Sequence, residues 1–275
     1  MIRTSHPALA RTPRFITILA LFALTACGTR LTPTTAQMGD RDVEIVETGA
    51  GEATVVFESG FGNDWSPWDQ VASEIAPHAR VLAYSRPGYG RSDPSADPRD
   101  AAHIVEDLRA LLALRGHSPP YVLVGHSFGG TYMELFARAY PEEVAALVLV
   151  EPRHRDFTSA CRDAGLSGCA IPDSVVASLR PVEIAEYEAF AQTSDQIAAA
   201  GPFGAYPVRV LTADSHPGFA PEVEALWVSM LGSLADEAEH GEQRIFRGAG
   251  HNLQTERPHD VVEAILEVLP ASMAD

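Results

Sequence analysis

A chain of 275 residues, 46% hydrophobic and 21% charged, can bury one large core, and its length requires no second domain. Its formal charge of −17 sets it against phosphate backbones and anionic headgroups. Nucleic-acid binding and membrane adhesion through a basic patch are thereby excluded.

Arg3, Arg11 and Arg14 precede an apolar run over 15–26. That run is shorter than the roughly 20 residues a bilayer span needs, and the pattern is that of a signal peptide over residues 1–26. It ends Leu24-Thr25-Ala26-Cys27, which resembles the lipobox of bacterial lipoproteins. The resemblance implies a Cys27 that is diacylated on sulfur by palmitate-like chains and becomes the new N-terminus; an ordinary secretory signal with an incidental Cys27 is the alternative. Each buried methylene contributes about 0.8 kcal/mol, so more than one chain anchors stably. The Thr-rich stretch that follows reads as a tether, giving a lipidated N-terminus and tether over 27–40. Gly28, in place of Asp beside the cysteine, leaves the protein free to reach the outer membrane of a Gram-negative cell. The three arginines are the only charged residues before Cys27, so their removal takes the charge from −17 to −20. The expected location is therefore the bacterial cell envelope, after export, with the lipid as the membrane contact. In that oxidising setting Cys161 and Cys169 are expected to pair, with two buried thiols as the alternative.

From residue 43 onward, short Val- and Leu-rich runs alternate with longer amphipathic segments, which predicts βα units and a mostly parallel central sheet flanked by helices. Strands are expected over 43–47, 54–58, 80–84, 121–124, 146–150, 208–211 and 243–246. Helices are expected over 68–75, 101–114, 128–140, 222–235 and 258–269. Ile104, Leu108, Leu111 and Leu112 fall at helical spacing and mark the face laid on the sheet. The segment 153–207 breaks the alternation: it carries both late cysteines, several prolines and helical stretches such as 182–192. It reads as a helical cap inserted into an α/β core of residues 41–152 and 208–275.

The run Tyr121-Val122-Leu123-Val124 leads directly into Gly125-His126-Ser127-Phe128-Gly129-Gly130 and then a helix. A G-x-S-x-G in that strand, turn and helix context holds the serine at the tip of a tight turn with its hydroxyl exposed. The Phe128 backbone N–H, at the helix start, can face an oxyanion. A serine hydroxyl needs a base within hydrogen-bond reach. Of the ten histidines, His251 alone combines a glycine-rich approach, Gly248-Ala249-Gly250, with a place after the last strand and before the last helix. His126 reads as a packed neighbour of Ser127, and the sequence offers no metal site and no Gly-rich phosphate or dinucleotide loop.

Three stretches, Glu58-Ser59-Gly60-Phe61-Gly62, Tyr84-Ser85-Arg86-Pro87-Gly88-Tyr89-Gly90-Arg91-Ser92 and Gly125 to Gly130, together with His251, resemble the α/β-hydrolase fold family with cap domain. The likeness covers nearly all of 43–269. It implies a Ser-His-acid triad of Ser127, His251 and a carboxylate, with the Phe61 N–H as second oxyanion donor beside Phe128. Ser59 stands where the family commonly has His, and Ser85 where it commonly has Asp; the 84–92 stretch reads as a structural turn. The family places its acid after either of two strands, which offers Glu151 or Asp214. In the later position Ser215 and His216 occupy the usual place of the acid, which favours Glu151 and keeps Asp214 as the alternative. Trp65, Trp68 and His154 are weaker candidates for lining the pocket.

The expected activity is hydrolysis of a carboxylic ester or similar acyl substrate through an acyl-enzyme, without metal or organic cofactor. Rival readings are a cofactor-free peroxidase or a C–C or peptide-bond hydrolase on the same triad, and a surface-anchored binding protein that has lost turnover. A nucleophilic Asp would have pointed to an epoxide hydrolase or dehalogenase; Ser127 argues against both.

Overall fold

The computed structural model describes residues 1, 2 and 30–270. Residues 3–26 of the expected signal peptide, and Cys27, lie outside the described residues. No helix among the described residues is long and apolar enough to cross a membrane.

In chain order the elements are β1 (Thr34–Met38), β2 (Arg41–Thr48), β3 (Thr54–Glu58), α1 (Asp69–Ile75), β4 (Arg80–Tyr84), α2 (Ala101–Leu114), β5 (Tyr121–His126), α3 (Phe128–Ala139) and β6 (Val144–Val150). Four helices follow before the sheet resumes: α4 (Phe157–Asp163), α5 (Asp173–Val176), α6 (Pro181–Glu188) and α7 (Phe190–Ala199). The chain then runs through β7 (Pro207–Ala213), α8 (Pro221–Asp236), β8 (His240–Phe246), α9 (Leu253–Glu256) and α10 (Pro258–Val268). The sheet order is β1-β2-β4-β3-β5-β6-β7-β8, antiparallel at β1–β2 and β2–β4 and parallel elsewhere.

Strand periodicity divides the core into two layers. Val56, Leu123, Leu147 and Leu149 face the layer formed with α2, α3 and α8. Their sequence neighbours Val55, Phe57, Val122, Val124, Val148 and Val150 face the layer formed with α1 and α10. Alternate residues of a strand point to opposite faces, so a strand covered by helices on both sides must be apolar throughout.

One expectation is corrected at the N-terminal end. Part of the stretch read as tether, Thr34–Met38, forms β1, because Ala36 is buried on the core and the backbone pairs with β2 from Thr34↔Ile45 to Met38↔Arg41. A two-residue turn at Gly39, with φ +66, makes that hairpin possible. The expected helix over 182–192 is divided between α6 and α7 at Ala189.

The α4–α7 segment is tied to the core by polar contacts. Thr193 Oγ1 and Gln196 Oε1 of α7 accept from the Ala101 and Ala102 N–H groups at 2.9 and 3.0 Å, satisfying orphan donors at the start of α2. Cys161 and Cys169 form a disulfide, with Cα atoms 6.3 Å apart.

Candidate functional site

Strands β4 and β5 lie on opposite sides of β3, so chain connections leave the sheet in opposite directions there and open a crevice at the carboxyl ends of the strands. Ser127 follows β5, Glu151 follows β6, His216 lies beyond β7 and His251 beyond β8. The parallel register therefore brings residues up to 124 positions apart to one edge.

Ser127 has φ +53 and ψ −121, and Glu151 has φ +51; they are the two non-glycine residues with positive φ among the described residues. Such backbone persists only where its surroundings hold it. Around Ser127 the turn is held by close approach. A Cβ on Gly125 would stand 2.6 Å from the Gly129 carbonyl oxygen, and one on Gly129 would stand 2.5 Å from the Glu58 and Ser59 oxygens. The Ser127 N–H donates to Val150 O at 3.2 Å and the Glu151 N–H to Leu211 O at 2.8 Å, so each turn hangs on the adjacent strand.

His251 Nε2 lies 3.0 Å from Ser127 Oγ, and His251 Nδ1 lies 3.2 Å from Glu151 Oε2. With Nδ1–H donating to the carboxylate, Nε2 is free to take the serine proton. The loop bearing His251 is pinned from two sides. His126 Nε2–H donates to the His251 carbonyl at 2.9 Å, and Glu256 accepts from the Gly250 N–H at 2.8 Å. Burial, and then the neighbouring His251 charge, push His126 down to about 3, so it is neutral at physiological pH. Its role is positional.

Glu151 is fully buried and has four donors: the Ala213 N–H, Trp227 Nε1, His216 Nε2 at 2.7 Å and His251. Burial alone would raise its pKa. The hydrogen bonds and charges of His216 and His251 outweigh burial and hold it below the usual carboxylate range, so it is ionised at neutral pH. Asp214 is turned elsewhere: it accepts from the Gly248 N–H at 2.6 Å and faces Arg247 at 3.9 Å, holding the turn after β8. It makes no hydrogen bond to His251.

Phe61 and Phe128 both line the cavity with Ser127, their rings 5.2 Å apart, and neither backbone N–H has a hydrogen-bond partner among the described residues. Arg86 helps to orient the first. Its guanidinium donates to Ser59 O at 2.5 Å and to Gly60 O at 3.1 Å. The Phe61 N–H belongs to the same trans peptide as the Gly60 carbonyl, so it points the opposite way, away from the guanidinium. Arg86 itself is held by buried Glu58 at 2.6 Å and by Glu186 of α6 at 2.7 Å. The stretch over 84–92, read from sequence as a turn alone, thus supplies a side chain that supports the 59–61 loop.

His216 is the other residue that sequence reasoning left without a role. Its Nδ1 faces Glu224 and its Nε2 faces Glu151, each at 2.7 Å. Burial disfavours its charge, but the two carboxylates outweigh burial and raise its pKa. Glu224, eight residues further on, could not be linked to it without the position of α8. Ligand atoms of Glu151, His216 and His251 lie within 4.8 Å of one another, close enough to converge on a metal ion. An ion there would compete for the same nitrogens and oxygens that already bond one another.

The cavity above these residues measures about 810 Å³ and is walled by Phe61, Phe128, Phe157, Phe190, Phe219 and Trp227, among others. Trp65 and Trp68 do not line it, because both are buried in the layer with α1 and α10. His154 is buried and its Nδ1 accepts from the Asp156 N–H at 3.1 Å, which makes it a turn residue at the start of the α4–α7 segment.

Comparison with known proteins agrees with this architecture. Residues 53–165 match a family model described as alpha/beta hydrolase fold. The uncharacterized protein YqjL of Bacillus subtilis is 26% identical over 224 residues, covering 80% of this chain and 85% of that protein. Lipase LipV of Mycobacterium tuberculosis is 39% identical over 133 residues, covering 48% of this chain and half of its own length. Among solved structures, a thermophilic esterase from Thermogutta terrifontis superposes with a TM-score of 0.58 at 21% identity, over 87% of this chain and 97% of that one. The chain has the α/β-hydrolase fold.

Proposed function

We propose that this chain is a serine hydrolase that cleaves a carboxylic ester or similar acyl substrate through an acyl-enzyme. The observation that carries the reading is the continuous line Glu151, His251, Ser127, with contacts of 3.2 and 3.0 Å, beside two backbone N–H groups that have no partner among the described residues. In the proposed mechanism His251 Nε2 takes the Ser127 proton as Oγ attacks the carbonyl carbon. The oxyanion is held by the Phe61 and Phe128 N–H groups, and Glu151 supports the imidazolium. The tetrahedral intermediate collapses with His251 returning the proton to the leaving oxygen. Water, deprotonated by His251, then attacks the acyl-enzyme and releases the acid. The likeness to LipV, a lipase by name, favours ester chemistry over C–C, peptide-bond or peroxidase chemistry.

The test is labelling of the folded protein by a fluorophosphonate, with Ser127→Ala, His251→Ala and Glu151→Ala beside the wild type. Labelling lost in Ser127→Ala and His251→Ala supports the reading. A folded wild type that does not label sinks it and favours a binding protein on the same fold.

For location, we propose export and lipid anchoring through Cys27 at the cell envelope. The lipobox-like 24–27 segment supports it, and the Cys161–Cys169 disulfide is consistent with an oxidising compartment. Incorporation of labelled palmitate that persists in Cys27→Ala would refute it.

A further inference from the structure

In a chain this acidic, arginines find carboxylates easily. Of the arginines that line the cavity, Arg155 is held by Glu134 at 2.8 Å and Glu237 at 2.9 Å, and Arg162 stands beside Asp163 at 3.7 Å. Arg153 differs. It is half-buried, and its guanidinium has one hydrogen-bond partner among the described residues, the neutral hydroxyl of Thr158. Glu188, the one carboxylate in the cavity lining, is exposed and makes no ion pair with it.

The position of this cation is well defined. The Arg153 N–H donates to Ser127 O at 3.0 Å, fixing its backbone against the turn that presents the serine. Its guanidinium carbon lies 4.9 Å from the centre of the Phe157 ring and 5.6 Å from that of Phe190. The Phe190 ring is in turn 4.6 Å from that of Phe128, whose N–H is an oxyanion donor in the mechanism above. All of these residues wall one cavity. Burial pulls Arg153 down to about 10, which leaves it charged at neutral pH but poorly solvated. Among the described residues this partly buried cation is held by ring faces and a hydroxyl and has no carboxylate partner, and a ligand can supply the counter-charge.

We infer that Arg153 is a specificity determinant, which binds a carboxylate carried by the substrate beside the acyl group that Ser127 attacks. The inference rests on the serine-hydrolase reading and narrows it to acidic esters with an apolar body. A single planar guanidinium matches the two oxygens of a carboxylate, whereas a phosphate would call for further donors, and Arg155 is already committed to Glu134 and Glu237. The apolar walls accept the rest of the substrate. The net charge of −17 repels anions at long range, so a preference for an anionic substrate has to come from a local cation.

Two pairs of esters test this on the intact protein. One pair, 4-nitrophenyl pentanoate and mono-4-nitrophenyl glutarate, places the carboxylate on the acyl arm. The other, phenyl acetate and 4-carboxyphenyl acetate, places it on the alcohol arm. The readout is the ratio of kcat/KM for the anionic member to that for the neutral one. In at least one pair this ratio should exceed one in the wild type and fall about 10- to 100-fold in Arg153→Gln, the range expected for a charge-assisted hydrogen bond. Arg153→Lys should recover most of it, and fluorophosphonate labelling of each variant reports whether the serine turn is intact. Ratios that are the same in wild type and Arg153→Gln for both pairs would overturn the inference while leaving the hydrolase reading standing. A wild type that turns over none of the four esters would remove the hydrolase reading and this inference with it.

Discussion

Arg86→Met separates two contributions of one buried side chain. The Arg86 guanidinium is 1% exposed and bonds Glu58, Glu186, Ser59 O and Gly60 O. Removing it leaves Glu58 with the Tyr84 hydroxyl, and Glu186 with Arg99 at 3.0 Å. Breaking a buried ion pair on one side costs about 3–5 kcal/mol. At roughly 2–4 °C per kcal/mol for a domain of this size, Tm should fall by about 6–20 °C. The loss should shrink as pH falls. Burial already raises the Glu58 pKa against the opposing pull of Arg86, and without Arg86 it rises further, so the variant regains stability as Glu58 takes up a proton. Independently of folding, the Gly60–Phe61 peptide loses the donor that fixes its orientation. A misdirected oxyanion donor costs about 3 kcal/mol, so kcat per folded molecule should drop roughly 100-fold with little change in KM. Arg86→Lys should restore more stability than turnover, because one ammonium cannot serve two carboxylates and two carbonyls together. Thermal melts from acid to neutral pH and active-site-titrated kinetics below the melting range provide the measurements. A variant whose kcat per folded molecule equals that of the wild type would refute the positional argument.

Glu151→Gln should lower kcat by roughly 10³–10⁴, because a neutral amide cannot support an imidazolium as a buried carboxylate does; Asp214→Asn should cost less than about tenfold, and equal losses in steady-state assays would contradict the assignment. His216 has a folded-state pKa above the ordinary 6.5, so its contribution to stability is fully present below 6.5 and is lost as pH rises through the raised value. His216→Gln should flatten that alkaline decline in Tm, and an unchanged pH profile would count against the charge on His216. Gly125→Ala places a Cβ 2.6 Å from the Gly129 oxygen and 2.7 Å from Gly130 Cα, both backbone atoms that cannot swing aside. Overpacking of that kind costs about 1–3 kcal/mol or more, and both the urea midpoint and the labelling rate should fall.

Much of this was legible in the sequence because the signals were local. Short continuous Val- and Leu-rich runs, helical spacing in α2, and the strand, glycine turn and helix around Ser127 are each contained within about 15 residues, and each matches the structure to within a few positions. His251 was legible for the same reason, as a glycine-flanked histidine between the last strand and the last long helix. The β1 hairpin escaped because a short edge strand of Thr, Ala, Gln and Met buries one side chain and leaves almost no hydrophobic pattern.

What the tertiary structure decided were the contacts between distant segments. Which of Glu151 and Asp214 stands within reach of His251 depended on the turns after β6 and β7, and the positive φ at Glu151, beside its contact with His251, has no glycine to announce it. The Arg86 link to Ser59, Gly60 and Glu186 joins residues up to 100 positions apart, and the pairing of His216 with Glu224 needs α8 folded back over β7. Arg153 stands out only after the other arginines of the cavity have been matched to their acids. Local preference determines elements, since each is a property of a few consecutive residues; a site is a set of distances across the sheet, and only the packed chain sets them.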